Sequence, residues 1–326
     1  MRTLAALTAC ILLIGASAQA DEPTDVDAAI DRGLAFLAKD AVAWKEKHNC
    51  VSCHHAALIV WSMREAKQQG WTVDEPLLAE LTKWIAESGD GKTTAPRPES
   101  APRALNSKPI WFALGLEADA EPDGATLDGL KTLLATVKED QTDDGSWTTW
   151  PETRPPIFGG NDDSNTTLAL LSLLPAAARG DESVIAARDK GVAWLAARPV
   201  DDDAQSVALR LILWQRLERP AEEWRPLVER IKARQNDDGG WSQTADMVSD
   251  AWATGQALYA LAHAGIKSDD PAVARARAFL ATTQNEDGSW TMTSRPSKTG
   301  DTGAKNLVPI TGAGSAWAVL GLVRSR

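Results

Sequence analysis

Long apolar runs, strand-like alternation and an excess of positive charge are all missing from this chain of 326 residues. With 34 basic against 45 acidic side chains, a net charge of −11 and a pI near 4.9, nucleic acid and anionic membrane are excluded as main partners. No run after the N-terminus is long enough to span a bilayer. Neither a Gly-rich phosphate loop nor a Ser-His-Asp pattern stands out. Two further shortages are more informative. There is 1 Tyr and there are 4 Phe, against 14 Trp, and soft ligands amount to 3 Cys, 4 His and 4 Met. A content of 44% hydrophobic and 24% charged residues is otherwise that of an ordinary globular protein with a sizeable core.

The first twenty residues have the layout of a cleaved secretory signal. Arg2 precedes an apolar run from Leu4 to Gly15, and Ala18-Gln19-Ala20 supplies small residues before Asp21. Leu7-Thr8-Ala9-Cys10 resembles a lipoprotein processing box, but too little apolar sequence precedes it and too much follows. Cleavage after Ala20 leaves residues 21–326 as one domain and Cys50 and Cys53 as its cysteines. The expected destination is the periplasm or the exterior.

The tryptophans carry a repeat. Gln141-Thr-Asp-Asp-Gly-Ser-Trp147, Gln235-Asn-Asp-Asp-Gly-Gly-Trp241 and Gln284-Asn-Glu-Asp-Gly-Ser-Trp290 each follow an amphipathic helical run. Each precedes a loop and then a run rich in small apolar residues. The first two copies are far enough apart to enclose one degenerate unit of roughly 47 residues, visible from Asp189 to Trp214. Extending the pattern predicts twelve helices in six hairpins. Outer helices start near residues 26, 76, 126, 182, 221 and 271, and inner ones near 54, 107, 164, 203, 250 and 313. Small residues on the inner runs let helices converge on an axis, so the expected fold is an all-α (α/α)6 toroid.

Gln-x-x-x-Gly-[Ser/Gly]-Trp after a helix resembles the QW repeat of squalene-hopene cyclases and related terpenoid cyclases. In that family the Gln and Trp tie one helix end to the next, so the resemblance implies a fastening role for Trp147, Trp241 and Trp290. It covers the chain from about residue 120 onward and speaks for fold, not for catalysis. Protein prenyltransferase subunits share the toroid, but their Asp/Cys/His zinc set is not evident here.

Chemistry enters at His48-Asn-Cys50-Val-Ser-Cys53-His54-His55. Cys-x-x-Cys-His is the attachment signal of c-type haem: the two thiols add to the haem vinyl groups and His54 becomes the proximal iron ligand. Covalent attachment suits an exported protein, from which a loosely held haem could be lost. A local disulfide also fits an oxidising compartment. A third arrangement is a zinc site from Cys50, Cys53 and His54 with His48 or His55.

Connections from outer to inner helices are long, and the haem motif lies on one of them. Loops and motif therefore share one mouth of the toroid, where a rigid scaffold usually carries its binding groups. Among sixth ligands for the iron, Met247 on the fifth such loop is preferred. Met292 follows, with His48, water or an open position as alternatives. Met63 lies on the opposite helical face from His54 and reads as core, His263 belongs at the far mouth, and His55 points away from His54. Methionine ligation would suit electron transfer, an open position small-molecule chemistry.

Asn161-Asp162-Asp163-Ser164-Asn165-Thr166-Thr167 opens an inner helix at the same mouth. It resembles the Asp-x-Asp-Asp-Thr motif of squalene-hopene cyclases, whose central Asp protonates the substrate, but Gly160 stands at the first Asp position. A carboxyl kept protonated for that task needs a buried, low-dielectric setting. The same residues could instead cap the helix. The family also uses two helical domains and many pocket aromatics, whereas this chain offers one domain and a single Tyr.

Three functions compete at this point. The leading expectation is an exported monohaem c-type protein for electron transfer or redox sensing, with Cys50, Cys53, His54 and Met247 at the haem and a redox partner protein. The second is a cyclase-type enzyme using Asp162 or Asp163. The third is a cofactor-free structural or ligand-binding toroid.

Overall fold

Among the described residues, twelve α-helices pair into six hairpins, and the hairpins close into a ring. The structure, a computed structural model, describes residues 25–48, 53–88, 107–117, 124–148, 155–157, 160–295 and 307–326. Outer helices are α1 (Val26–His48), α3 (Glu75–Ser88), α5 (Gly124–Glu139), α7 (Glu182–Ala196), α9 (Ala221–Lys232) and α11 (Pro271–Thr283). Inner helices are α2 (Leu58–Gln68), α4 (Ser107–Glu117), α6 (Asp162–Ala178), α8 (Ala204–Arg216), α10 (Ala251–His263) and α12 (Val308–Arg324). Each inner helix packs on the next, α2 to α4 to α6 to α8 to α10 to α12, and α12 returns to α2. The described residues contain no β-strand, only isolated bridges at Ser242–Ser249 and Gln284–Trp290. The expected (α/α)6 toroid is therefore the architecture. The sequence reading misplaced one inner start most clearly: α12 begins at Val308, a turn ahead of position 313.

The two helix sets differ because their surroundings do. Most positions along α6, α8, α10 and α12 are buried, so these helices are apolar on nearly every face. Outer helices bury one stripe, such as Leu227, Val228 and Ile231 on α9. Short polar side chains set several starts: Asn161, Asp181, Asp203, Asp250 and Asp270 each accept a backbone N–H in the first turn. Small residues set the inner spacing. A Cβ on Gly321 of α12 would lie 2.7 Å from the Gly255 carbonyl oxygen of α10. The buried Arg64 guanidinium donates to the carbonyls of Gly115 and Leu116 and to Thr82, which ties the C-terminal end of α4 to α2 and α3.

The Gln-to-Trp repeats are the fasteners of this ring. In each copy the indole N–H donates to a carbonyl ten residues back: Val137, Ile231 and Leu280, at 2.7–2.8 Å. The backbone N–H of each Trp meets an inner-helix hydroxyl: Thr166, Thr254 and Ser315. The Gln amide donates to its own turn and to the next outer helix, at Ala187, Ala272 and, for Gln284, Ala29. That last bond joins the sixth hairpin to the first. The turn glycines Gly145, Gly239 and Gly288 have φ of +99°, +88° and +88°, and each lies against a carbonyl of the neighbouring outer helix.

Candidate active site

All inner helices start at the mouth where the long connections lie, and α6 brings the carboxylates there. Asn161, not Asp162 or Asp163, is the N-cap: its side chain accepts from Ser164 N–H at 2.8 Å. The capping role expected of the two aspartates is thus corrected, because the residue before them takes it. Asp162 is half-buried at the first helical position. Asp163 is buried, and its Oδ2 accepts from Arg210 Nη2 at 2.8 Å and from the Asp201 backbone N–H at 3.2 Å. Its Oδ1 has no hydrogen-bond partner. Burial pushes the Asp163 carboxyl above the usual carboxylate range, against the pull of Arg210. Arg210 is itself held by the Leu195 carbonyl at 3.0 Å and lies 4.9 Å from the Trp214 ring centroid.

The starts of α8 and α10 continue this polar rim. Asn161 donates to Asp203 Oδ2 at 2.5 Å and to Ser206 Oγ at 3.0 Å. Asp250 accepts from Ala253 N–H, from Gln243 and from Thr293, and burial raises its pKa. The Arg295 guanidinium is buried near both Asp203 and Asp250, with Nε and Nη2 unpartnered. A Cβ on Gly160 would come within 3.0 Å of Arg295 Nη2, so the departure from the cyclase motif at Gly160 leaves room for this cation. Sequence reasoning missed Arg210, Asp250 and Arg295. A lone arginine in the apolar run Val207–Trp214 was the one signal on the page for Arg210.

Below the rim, aromatic side chains fill the axis. Trp61, Trp111, Trp252, Trp317 and Tyr259 come from α2, α4, α10 and α12, and meet edge to face at centroid distances of 5.2–6.3 Å. Trp111 meets Trp252 although α4 and α10 are not neighbours in the ring, which puts both on the axis. The single Tyr is thus joined on the axis by four Trp. These tryptophans differ from the fastening ones. The indole N–H groups of Trp252 and Trp317 have no partner, and neither do the buried amides of Gln205 and Gln256 or the Thr167 hydroxyl. On α6, Asp163 faces Arg210 of α8 and the Asp201 backbone, whereas Leu171 lines the axis at the opposite end.

The described part of the Cys-x-x-Cys-His segment belongs to the first hairpin. Cys50 lies outside the described residues, as do the first twenty residues. Cys53 and His54 begin a five-residue π-helical turn, Cys53–Ala57, directly before α2; their side chains also fall outside the description. His55 is fully buried, its Nδ1 2.6 Å from Asp40 Oδ2 and its ring stacked on Trp44 at 3.8 Å. Trp44 also meets the His48 ring at 4.0 Å. Met247 is half-buried in a turn ahead of α10, on the fifth hairpin, with the sixth standing between it and the first. Met292 is buried, its sulfur packed against Gly314 of α12. Met63 is core and His263 lies at the far mouth. Among the described residues no group of three His, Cys, Asp or Glu side chains forms a metal-binding cluster, and no helix is long and apolar enough to cross a membrane.

Fold and rim together define a cyclase-like α/α toroid, and comparison with known proteins agrees. The squalene-hopene cyclase C-terminal domain family matches residues 218–326. The type II terpene cyclase MstE from Scytonema, solved with its substrate geranylgeranyl dihydroxybenzoate, is similar in structure. Its TM-score is 0.56 at 14% identity, over 92% of this chain and 97% of that one. A protein from Actinoplanes gives 0.58 at 15% identity, covering 92% and 99%. A structure described as a polysaccharide lyase gives 0.59 at 12% identity, covering 91% and 97%. At such identities the likeness is one of fold. No curated protein matches the chain in sequence.

Proposed function

We propose that the loop-side end of the toroid is a proton-donor site of the cyclase type, with Asp163 as the acid and a polyprenyl compound as substrate. One observation carries the reading. A buried carboxyl, with proton affinity raised by burial and with Oδ1 uncommitted, stands at the loop-side end of a ring whose axis carries aromatic side chains. Burial favours the neutral acid needed for donation. Arg210 and the Asp201 N–H fix Oδ2, which orients the group. In the reaction, the carboxyl proton goes to one alkene carbon. The alkene π electrons form the new C–H bond and leave a tertiary cation on the other carbon. A second alkene closes on that cation by forming a C–C bond, and proton loss to solvent ends the sequence. The faces of the axial tryptophans suit the travelling positive charge. The family match over residues 218–326 and the end-to-end likeness to a terpene cyclase support this reading.

The test is product analysis by mass spectrometry, with squalene and geranylgeranyl-bearing aromatics as substrates. Cyclic product is expected from the parent protein, with a loss of roughly 100-fold or more in Asp163→Asn and a smaller loss in Asp162→Asn. Cyclic product that survives removal of both carboxyls, or none from the parent, overturns the acid assignment.

A second site is proposed on the first hairpin: covalent haem at Cys50 and Cys53, with His54 and Met247 as iron ligands, in an exported protein that passes electrons to a partner. Its support is the Cys-x-x-Cys-His spacing and the π-helical turn at Cys53–Ala57, a form often found at functional positions. Haem would supply one-electron chemistry there. A pyridine haemochrome spectrum, after expression with haem-c maturation, decides the matter, and a colourless product ends this reading. If Met247→Ala leaves a methionine-to-iron charge-transfer band untouched, that ligand is wrong.

A further inference from the structure

A second cavity occupies the opposite end of the axis. It has a volume of about 290 Å³, close to the lower bound of roughly 300 Å³ for small-molecule pockets. All six inner helices contribute to its wall, so the walls are rigid helix ends and not loops. Trp61, Leu114 and Leu171 form an apolar side. The polar side is charged and partly prearranged. Glu65 is held by Arg324 at 2.7 Å and by the Tyr259 hydroxyl at 3.1 Å, which leaves that carboxylate neutralised and occupied. Arg216 and His263 lack this kind of commitment. No ion pair among the described residues engages the Arg216 guanidinium, although it lines the cavity and has an exposed position at the end of α8. His263 Nε2 is buried in the wall with no hydrogen-bond partner. An arginine without an ion-pair partner and an unpartnered imidazole nitrogen beside an apolar wall match one kind of molecule.

We propose that this far end of the toroid is a second binding site for a small carboxylate with an apolar body. The carboxylate is taken by Arg216 and His263 Nε2–H, and the body rests on Trp61, Leu114 and Leu171. Arginine suits the planar carboxylate because its fork of N–H groups matches the two oxygens. Helix C-termini alone would repel an anion, so the site depends on Arg216 and Arg324. The site is separate from the Asp163 rim, with the axial aromatics between them, and does not rest on the cyclase reading.

The experiment follows the His263 ring resonances of the full chain by NMR, assigned with His263→Gln, as benzoate is added. Benzyl alcohol serves as the uncharged counterpart. The expected result is a saturable shift with benzoate, a weakening of about tenfold or more in Arg216→Gln, and no comparable shift with benzyl alcohol. Because Arg216 is exposed at a helix end, its variant is expected to fold, and circular dichroism verifies this. Absence of a saturable shift, an undiminished shift in Arg216→Gln, or equal binding of benzyl alcohol overturns the proposal. Loss of the His263 shift in Asp163→Asn also overturns it, since benzoate would then be acting through the loop-side rim. The site stands or falls whether or not cyclic product is ever found.

Discussion

His263 shows how a single residue takes its chemistry from its position in the ring. Burial, with Arg216 and Arg324 nearby, lowers its pKa from 6.5 to about 3. The unfolded chain binds a proton near 6.5 and the folded one does not until about 3, so this residue's contribution to stability falls as pH drops through that window. The loss amounts to at most about 1.4 kcal/mol per pH unit. Urea denaturation at pH 7 and pH 5 should show a smaller decline for His263→Gln than for the parent, and an equal decline would refute the assignment. Asp163 and Arg210 form a second residue-scale case. Arg210→Met removes the donor on Asp163 Oδ2 and leaves a buried oxygen unpaired, which should cost roughly 1–3 kcal/mol. Adding Asp163→Leu should return most of that, because no unpaired buried carboxyl then remains. If the double variant is as unstable as the single one, the pair is not the source. The sequence made Asp162 and Asp163 visible as candidates, since carboxylates at a helix start are conspicuous. It hid the cations of the rim: Arg210, the partner of Asp163, follows by a whole hairpin, and Arg295, near Asp203 and Asp250, by most of the remaining chain. Only closure of the ring brings those charges together.

Helical elements are held at their ends by the same small device used three times. Gly288 combines a left-handed φ with a position against the Arg32 carbonyl of α1, whereas Gly265 has φ +78° and nothing within 4 Å of an added Cβ. Gly265→Ala should therefore cost only the left-handed backbone term, about 1–2 kcal/mol. Gly288→Ala should cost clearly more, because the neighbouring helix must also move. Equal midpoints in urea would show that the turn does not bear on α1. This level of organisation was the most legible in the sequence. Gln, Gly and Trp at fixed offsets record hydrogen bonds that are local, within ten residues of the indole. What each Gln reaches on the next hairpin was not legible, because that distance changes with every loop length. Nor could the repeat separate fastening tryptophans from axial ones. Trp111, Trp252 and Trp317 lie in apolar runs that look alike whether they face the bore or a neighbouring helix.

The molecule as a whole is a closed ring with a seam between its sixth and first hairpins. Gln284 donates to Ala29, Arg32 donates to Gln284, the Trp290 ring lies on Gly33, and Arg326 donates to Asp27 at 3.1 Å. Gln284→Ala should raise amide exchange in α1 and α11 together, while Gln235→Ala should loosen α9 and α11 and leave α1 protected. Exchange confined to α11 in the first variant would mean that the seam is not closed in solution. Because the last helix finishes beside the start of the first, order along the chain and order around the ring are nearly independent. A short linker from Arg326 to Asp25, with new ends opened in the tight turn at Gly180, should give a circularly permuted protein with the same twelve helices. In such a permutant the sixth and first hairpins become sequence neighbours, and the burden of long-range closure passes to a join that is now local.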